Sequence, residues 1–341
     1  MPVPKLFDYL MDMGTPVFAA LDGAQFDDLP EALFDGGFDH RPLYTNRGGQ
    51  GRSFPLTAPQ LVRLDRWAAG ADGGVAAATA LPGGERDAET HAAPDGPPDA
   101  EVLAALLSIA GDRPAAVFWA CPAGHDALYR HLRGINMVMY PKEMLPDVKD
   151  DGDASAETHE AVLFRYTDAN VMAQTAPALN LDEACRFLGP CDEVCFSPDV
   201  QWREDNTQLL IFRADDNGIA AAGMLKLSEE TVERIAEARY RKSDRNIVRY
   251  LKKVCPDRCS DLDNKELFDW VVPRSAEARR HGVRTEAARG RWCYIQMLTK
   301  DGLSDNNEVG RLMAAPSPRV SPDQRVRHLL LQAIANVEGA T

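Results

Sequence analysis

The sequence predicts an α/β amino-terminal lobe with a mixed sheet, residues 1–222, followed by an all-α carboxy-terminal lobe, residues 223–341. Three observations carry this expectation. Short apolar runs bounded by Gly, Pro and Asp alternate with amphipathic helical patterns from residue 16 to residue 213, as strands and helices do when they pack in layers. From Leu227 onward the periodicity and cap signals are helical. The charge also changes sign between the halves. Residues 1–222 hold 16 Lys+Arg against 35 Asp+Glu, and residues 223–341 hold 22 against 17, within a formal net charge of −14. An acidic first half speaks against general binding of nucleic acid or anionic membrane by the whole chain.

Taken in order, Pro16 to Ala24 reads as a strand closed by an Asp22-Gly23 turn, because aspartate before glycine is turn chemistry. A helix follows through Leu29, Leu33 and Phe34, then a short strand at Arg41–Tyr44 and a further element from Ala58 to Leu64. Residues 70–100 are rich in Gly, Ala, Pro and Asp. Such a composition buries too little apolar surface to order itself and is expected to form a mobile loop. Glu101–Ile109 reads as a helix, Ala115–Ala120 as a strand, the segment holding Leu128 and Leu132 as a helix, and Asn136–Tyr140 as a strand. The acidic stretch 146–157 lacks the Gly and Glu positions of a calcium loop and is expected to be a solvated loop.

His159 to Pro190 is the most informative stretch. Ala161-Val162-Leu163-Phe164 predicts a strand buried on both faces. Thr167 or Asp168 can cap the next helix, and Asn180 with Glu183 forms a box-like start to another. Gly189-Pro190 stops it, since glycine accepts a left-handed turn and proline cannot continue a helix. Val194–Phe196 and Gln208–Arg213 complete the strands. In the second lobe Ser228 caps a long helix. Val232, Ala236, Tyr240, Ile247, Leu251 and Val254 fall on one face of it, and Arg234, Arg241, Arg245, Arg249 and Lys252 on the opposite one. Asp263 and Thr285 cap two more helices, and a last helix runs from Asp323 to about Asn336.

Several of these fragments share a resemblance. "ALDGA…RPLYTN", "VFWACP…HLRG", "LFRYTDANVM…LNLDEACRFLGP" and "YLKKVCPD…LDNKEL" resemble, in order and spacing, the type VI secretion effector adaptor/chaperone family (Tap/TEC, VasW-like). The motif positions are Asp22, Arg165, Tyr166, Asp168, Gly189 and Pro190. Thr167 and Ala169 depart from the family's aromatic pair and Asp-Pro step. The resemblance implies that these residues are architectural. It also implies a non-catalytic cytoplasmic protein that binds a cognate secreted effector and promotes its loading onto a VgrG-type spike protein. Neither nucleic acid nor membrane is an expected partner.

The residues themselves suggest no reaction. No G-x-S-x-G, H-E-x-x-H, Walker loop or helix-opening G-x-G-x-x-G is present, so an enzyme, cofactor or metal is not expected. His125 and His131 are six residues apart and so lie on different faces of a helix. Cys191/Cys195 and Cys255/Cys259 have a spacing that zinc could use, but free cysteine is commonly just buried. Cys121 with His125 could form a nucleophile pair, with no third residue to orient it. Seven scattered cysteines and the absence of a signal-like amino terminus lead to the expectation of a reducing, cytoplasmic setting. The competing classes are an uncharacterised hydrolase and a nucleic-acid-binding regulator acting through the basic helix. The Arg234, Arg241, Arg245, Arg249, Lys252 stripe is the candidate partner surface, because arginine's planar fork suits interface carboxylates. Limited proteolysis should cut first within 70–100 or 147–157. First cleavage between Ser228 and Val254 would overturn the division into two lobes.

Overall fold

The strand Val17–Leu21 (β1) is buried along its whole length, and the first half of the chain is built around it. The computed structural model describes residues 5–44, 56–65, 95–145, 158–203, 209–213, 223–303, 307–314 and 320–338. Much of the stretch expected as a loop at 70–100, and residues 146–157, lie outside them. In the first unit, Met1–Ile235, Leu6–Met11 (α1) precedes β1. Leu29–Asp35 (α2), His40–Pro42 (β2), Gln60–Arg63 (β3), Ala100–Ala110 (α3), Ala116–Ala120 (β4), His125–Gly134 (α4) and Met137–Pro141 (β5) follow. Then come His159–Leu163 (β6), Ala169–Thr175 (α5), Leu181–Leu188 (α6), Glu193–Phe196 (β7), Leu210–Arg213 (β8) and Leu225–Lys226 (β9).

Six strands form one sheet in the order β2-β3-β1-β4-β7-β8, with every neighbouring pair antiparallel. A second sheet, β6-β5-β9, is mixed: β5 runs antiparallel to β6 and parallel to β9. Side chains alternate across a strand, and here both faces of the large sheet are covered. Phe18, Ala20, Val117, Trp119, Val194 and Phe196 enter one core with Leu128, Leu132, Met172 and Phe187 from α4, α5 and α6. Val17, Ala19, Leu21, Ala116, Phe118 and Cys195 enter the other with Leu10, Leu29, Leu33, Leu103 and Leu106 from α1, α2 and α3. Strands covered on both faces need apolar side chains at every position, which is why β1 and β4 read as unbroken runs.

The second unit, Ala236–Thr341, is helical. Its elements are most of Glu229–Val254 (α7), then Pro256–Cys259 (α8), Asn264–Arg280 (α9), Glu286–Thr299 (α10), Asn307–Ala314 (α11) and Pro322–Glu338 (α12). Ile247, Leu251, Leu267, Val271 and Cys293 pack in one cluster, and Trp292, Ile295, Met313, Val326 and Leu329 in another. Asp263 and Glu266 form a reciprocal capping box on α9. Asp323 accepts from the Arg284 and Thr285 N–H groups and from the Thr285 hydroxyl. The expected fold class, an α/β lobe followed by an all-α lobe, is the one observed.

Two expectations need correction. The run at Ala161–Phe164 is not a strand buried on both faces. β6 is the edge of the small sheet and Leu163 is 54% exposed, while Phe164, one residue beyond the strand, enters the core. A three-stranded sheet packed on one side leaves the other side of its edge strand in solvent. In α7, Tyr240 and Val254 are exposed instead of joining the buried face. The helix serves two cores in succession, Val232 and Ile235 in the first and Ile247, Val248 and Leu251 in the second. One stripe therefore does not describe its buried residues.

Glu183 links two helix starts. Its carboxylate accepts from the Asn180 N–H at 2.9 Å, the Ser228 N–H at 2.7 Å and the Thr231 hydroxyl at 2.6 Å. The residue is only 5% exposed. Hydrogen bonds to a charged group contribute about 1.5–3 kcal/mol each, and removing the acceptor strands buried donors. Glu183→Ala should lower unfolding free energy by about 3 kcal/mol in urea titrations, with Glu183→Gln intermediate.

Candidate functional site

Asp22 meets Arg165 and Asp168, more than 140 residues further along the chain, at one end of the large sheet. Asp22 is the residue after β1, and its N–H donates to the Ala115 carbonyl at 2.9 Å, at the start of β4. One carboxylate oxygen accepts the Ala24 N–H at 3.2 Å. The other accepts from the Gln25 amide at 3.3 Å and from the Arg165 guanidinium. Gly23 is required by close approach: a Cβ there would lie 2.5 Å from the Ala58 carbonyl oxygen. Arg165 Nη2 is also 3.6 Å from Asp168, which caps α5 by accepting the Asn170 and Val171 N–H groups. The Ala169 N–H returns to the Pro114 carbonyl at 2.8 Å. Tyr166 is buried, and its hydroxyl donates to Asn136 at 2.9 Å.

The charges shape one another. Burial works to lower the Arg165 pKa, but Asp22, Asp168 and Tyr44 together outweigh it and the net shift is upward. Burial raises the Asp168 carboxyl, against the pull of the Asn170 N–H and Arg165. Tyr44 is pushed up by burial and then by the Asp22 charge. One cation engaged by two carboxylates forms a clamp between chain segments and leaves Arg165 little charge to offer a ligand.

Gly189 has φ 57°, and a Cβ there would fall 2.3 Å from the His131 ring. The His131 Nε2 lies 2.7 Å from the Phe187 carbonyl oxygen, so the neutral ring donates from that nitrogen. The Cys121 thiol is directed at the carbonyls of Gly124 and Pro190. It also meets Cys191, a contact that lowers the Cys121 pKa, while burial raises that of Cys191. The His125 ring packs against Phe18 and stacks on Tyr129. Cys191 and Cys195 belong to cores on opposite sides of the sheet. The Cys255 and Cys259 sulfurs are 4.0 Å apart, and Cys255 is pushed up to about 12 by burial and by its neighbour. Among the described residues, no three His, Cys, Asp or Glu side chains converge as a metal shell.

The basic stripe is not uniform. Arg234 donates to the Ala178 carbonyl and the Thr231 hydroxyl, both at 2.8 Å, and so holds the start of α7 within the first unit. Arg245 lies over the Phe268 ring at 5.9 Å. Arg249 donates to Asn246, and Lys252 to Asn264 at 2.5 Å. Arg241, Arg249 and Lys252 are exposed, and Arg245 is half-buried.

One feature escaped the sequence reading. Tyr9, Asp12, Met13, Gly14, Thr15, Ala120, Asp192, Glu193 and Arg213 line a recess of about 410 Å³. The buried Glu193 accepts from the Tyr9 hydroxyl at 2.8 Å and from Arg213, and Arg213 also donates to Tyr9 at 2.7 Å. Burial and then the Glu193 bond push the Tyr9 pKa up. A charged residue opening the otherwise apolar strand Glu193–Phe196 was the available signal, but its partner stands on the next strand and on α1.

Residues 17–186 match the family model described as Domain of unknown function (DUF4123). The DUF4123 stretch begins at the first residue of β1 and ends inside α6. It therefore contains Asp22, Arg165, Tyr166 and Asp168, but neither Gly189-Pro190 nor the basic stripe. No curated protein and no solved structure matches the chain.

His125 and His131 in the DUF4123 stretch both have pKa values lowered by burial. The unfolded chain therefore binds protons first as pH falls through about 6.5, and stability is lost below that point. For one histidine the slope is at most about 1.4 kcal/mol per pH unit. His131→Gln should flatten the fall in unfolding free energy between pH 7 and pH 5. A slope equal to that of the unaltered chain would remove His131 from the account.

Proposed function

We propose that this chain is a non-catalytic adaptor/chaperone of type VI secretion, which binds a cognate effector in the cytoplasm and promotes its loading onto a VgrG-type spike. One observation carries the reading. Four of the residues on which the resemblance to that family rests, Asp22, Arg165, Tyr166 and Asp168, fall inside the DUF4123 match. Three of the four converge in a single clamp between chain segments. A protein that works by presenting surfaces needs such a scaffold and no reacting group. The Arg241, Arg245, Arg249 and Lys252 face is the surface proposed to meet the effector, through carboxylates suited to guanidinium forks. Arg234, held by the first unit, acts as an anchor of the helix.

Co-purification of the full chain with the effector encoded beside it, and with the spike protein, tests the reading. Failure of the unaltered chain to retain either would overturn it. Reversing Arg241, Arg245 and Arg249 to glutamate should weaken effector binding about tenfold at low salt, from exposed pairs worth about 0.2–1 kcal/mol each. The melting temperature should change little. Binding by the unaltered chain that survives the triple reversal would move the effector to another surface.

A further inference from the structure

The middle of the helical unit contains a polar cluster with more donors than it satisfies. Arg289, on α10, is 5% exposed. Its Nη2 donates to the Ser243 hydroxyl at 2.7 Å, yet its Nε and Nη1 are buried with no hydrogen-bond partner. Arg279 Nη1, on α9, is in the same condition. Asp244, on α7, is 2% exposed and one of its oxygens is unpartnered. The Ser275 hydroxyl faces that carboxylate without reaching bonding geometry. Glu286, also within electrostatic range of Asp244, is exposed and held by the Asn246 amide at 3.0 Å. Glu277, near the same core, accepts from Trp292 and Gln296.

Leaving a buried guanidinium N–H without an acceptor costs more than the mean value of a hydrogen bond, because desolvation is not returned. Three such guanidinium nitrogens belong to arginines within electrostatic range of the buried Asp244 carboxylate. The one carboxylate buried with them is that of Asp244, since Glu286 is exposed and held by Asn246, and Glu277 accepts from Trp292 and Gln296. Above them lies Tyr240, whose ring centre is 3.8 Å from the Arg279 guanidinium carbon and 5.4 Å from that of Arg289. Tyr240 is 41% exposed although its neighbours on the helix, Ser243 and Asp244, are buried. A cation–aromatic contact of this kind contributes about 0.5–2 kcal/mol, little enough for a ligand that completes the N–H groups to displace the ring.

The geometry points to a carboxylate-binding site at Arg289 and Arg279, with Tyr240 as its movable cover. A monoanion is repelled less by the Asp244 carboxylate than a phosphate dianion would be. The carboxylate can come from a small organic acid or from an aspartate or glutamate side chain of a protein. The site does not depend on the adaptor reading, since it uses this chain alone.

The test measures melting temperature and binding heat for the purified full-length chain at constant ionic strength. The probes are sodium acetate, inorganic phosphate, sodium chloride and a six-residue peptide of alternating Gly and Glu. Acetate should raise the melting temperature saturably, with phosphate and chloride giving at least tenfold weaker responses. Arg289→Lys should weaken the acetate response at least tenfold, and Tyr240→Ala should strengthen it. If Arg289→Lys does not fold, Arg279→Lys serves in its place. Peptide affinity at least tenfold above that of acetate identifies a protein side chain as the occupant, and equal affinity identifies a small acid. No saturable response from either carboxylate, or a response unchanged in both arginine variants, overturns the site and leaves effector co-purification as a separate question.

Discussion

Asp22 is a carboxylate placed where water barely reaches it, and a charge so placed has to be given a cation and donors from its surroundings. Its partners come from the residues just after β1, from the turn before α5 and, through its own N–H, from the start of β4. The need to satisfy one buried oxygen pair thus fixes where three distant pieces of chain must come together. Asp168 serves the same junction twice, as a cap for α5 and as the second anion beside Arg165. The Pro114 carbonyl takes the Ala169 N–H and the Gln25 amide, which closes the junction from the third side.

Above this junction the large sheet is enclosed on both faces, an uncommon arrangement for antiparallel strands, which are often solvated on one side. Enclosure leaves the strand ends and the edges as places for polar groups. Glu193 and Arg213 occupy one such end, cross-strand partners that also reach Tyr9 on α1. In the helical unit the same logic runs through caps and carbonyl clamps. Arg325 reaches the carbonyls of Leu312, Met313 and Val320, and Asp323 holds the start of α10.

What the sequence disclosed followed from local physics. Unbroken apolar runs located β1, β4 and β7. Short oxygen side chains located the starts of α5, α6, α9 and α10, because capping is decided within four residues. Asp22, Arg165 and Asp168 could be named as motif positions, but their meeting could not be read, since it depends on how distant segments return. The small sheet escaped for a related reason. Its β9 contributes two residues, Leu225 and Lys226, too few for periodicity. The exposure of Tyr240 and Val254 on α7 was hidden because a helical wheel assumes one core, and this helix contributes to two.

All seven cysteines are buried, and six of them are distributed over both cores of the first unit and one core of the second. Thiolate is the reactive form, and burial holds Cys195 and Cys293 far from it. An alkylating reagent therefore meets these sulfurs chiefly when the surrounding structure opens. Each cysteine becomes an internal clock for its own neighbourhood, so the fold's excursions away from its resting state can be timed region by region by where the label appears first.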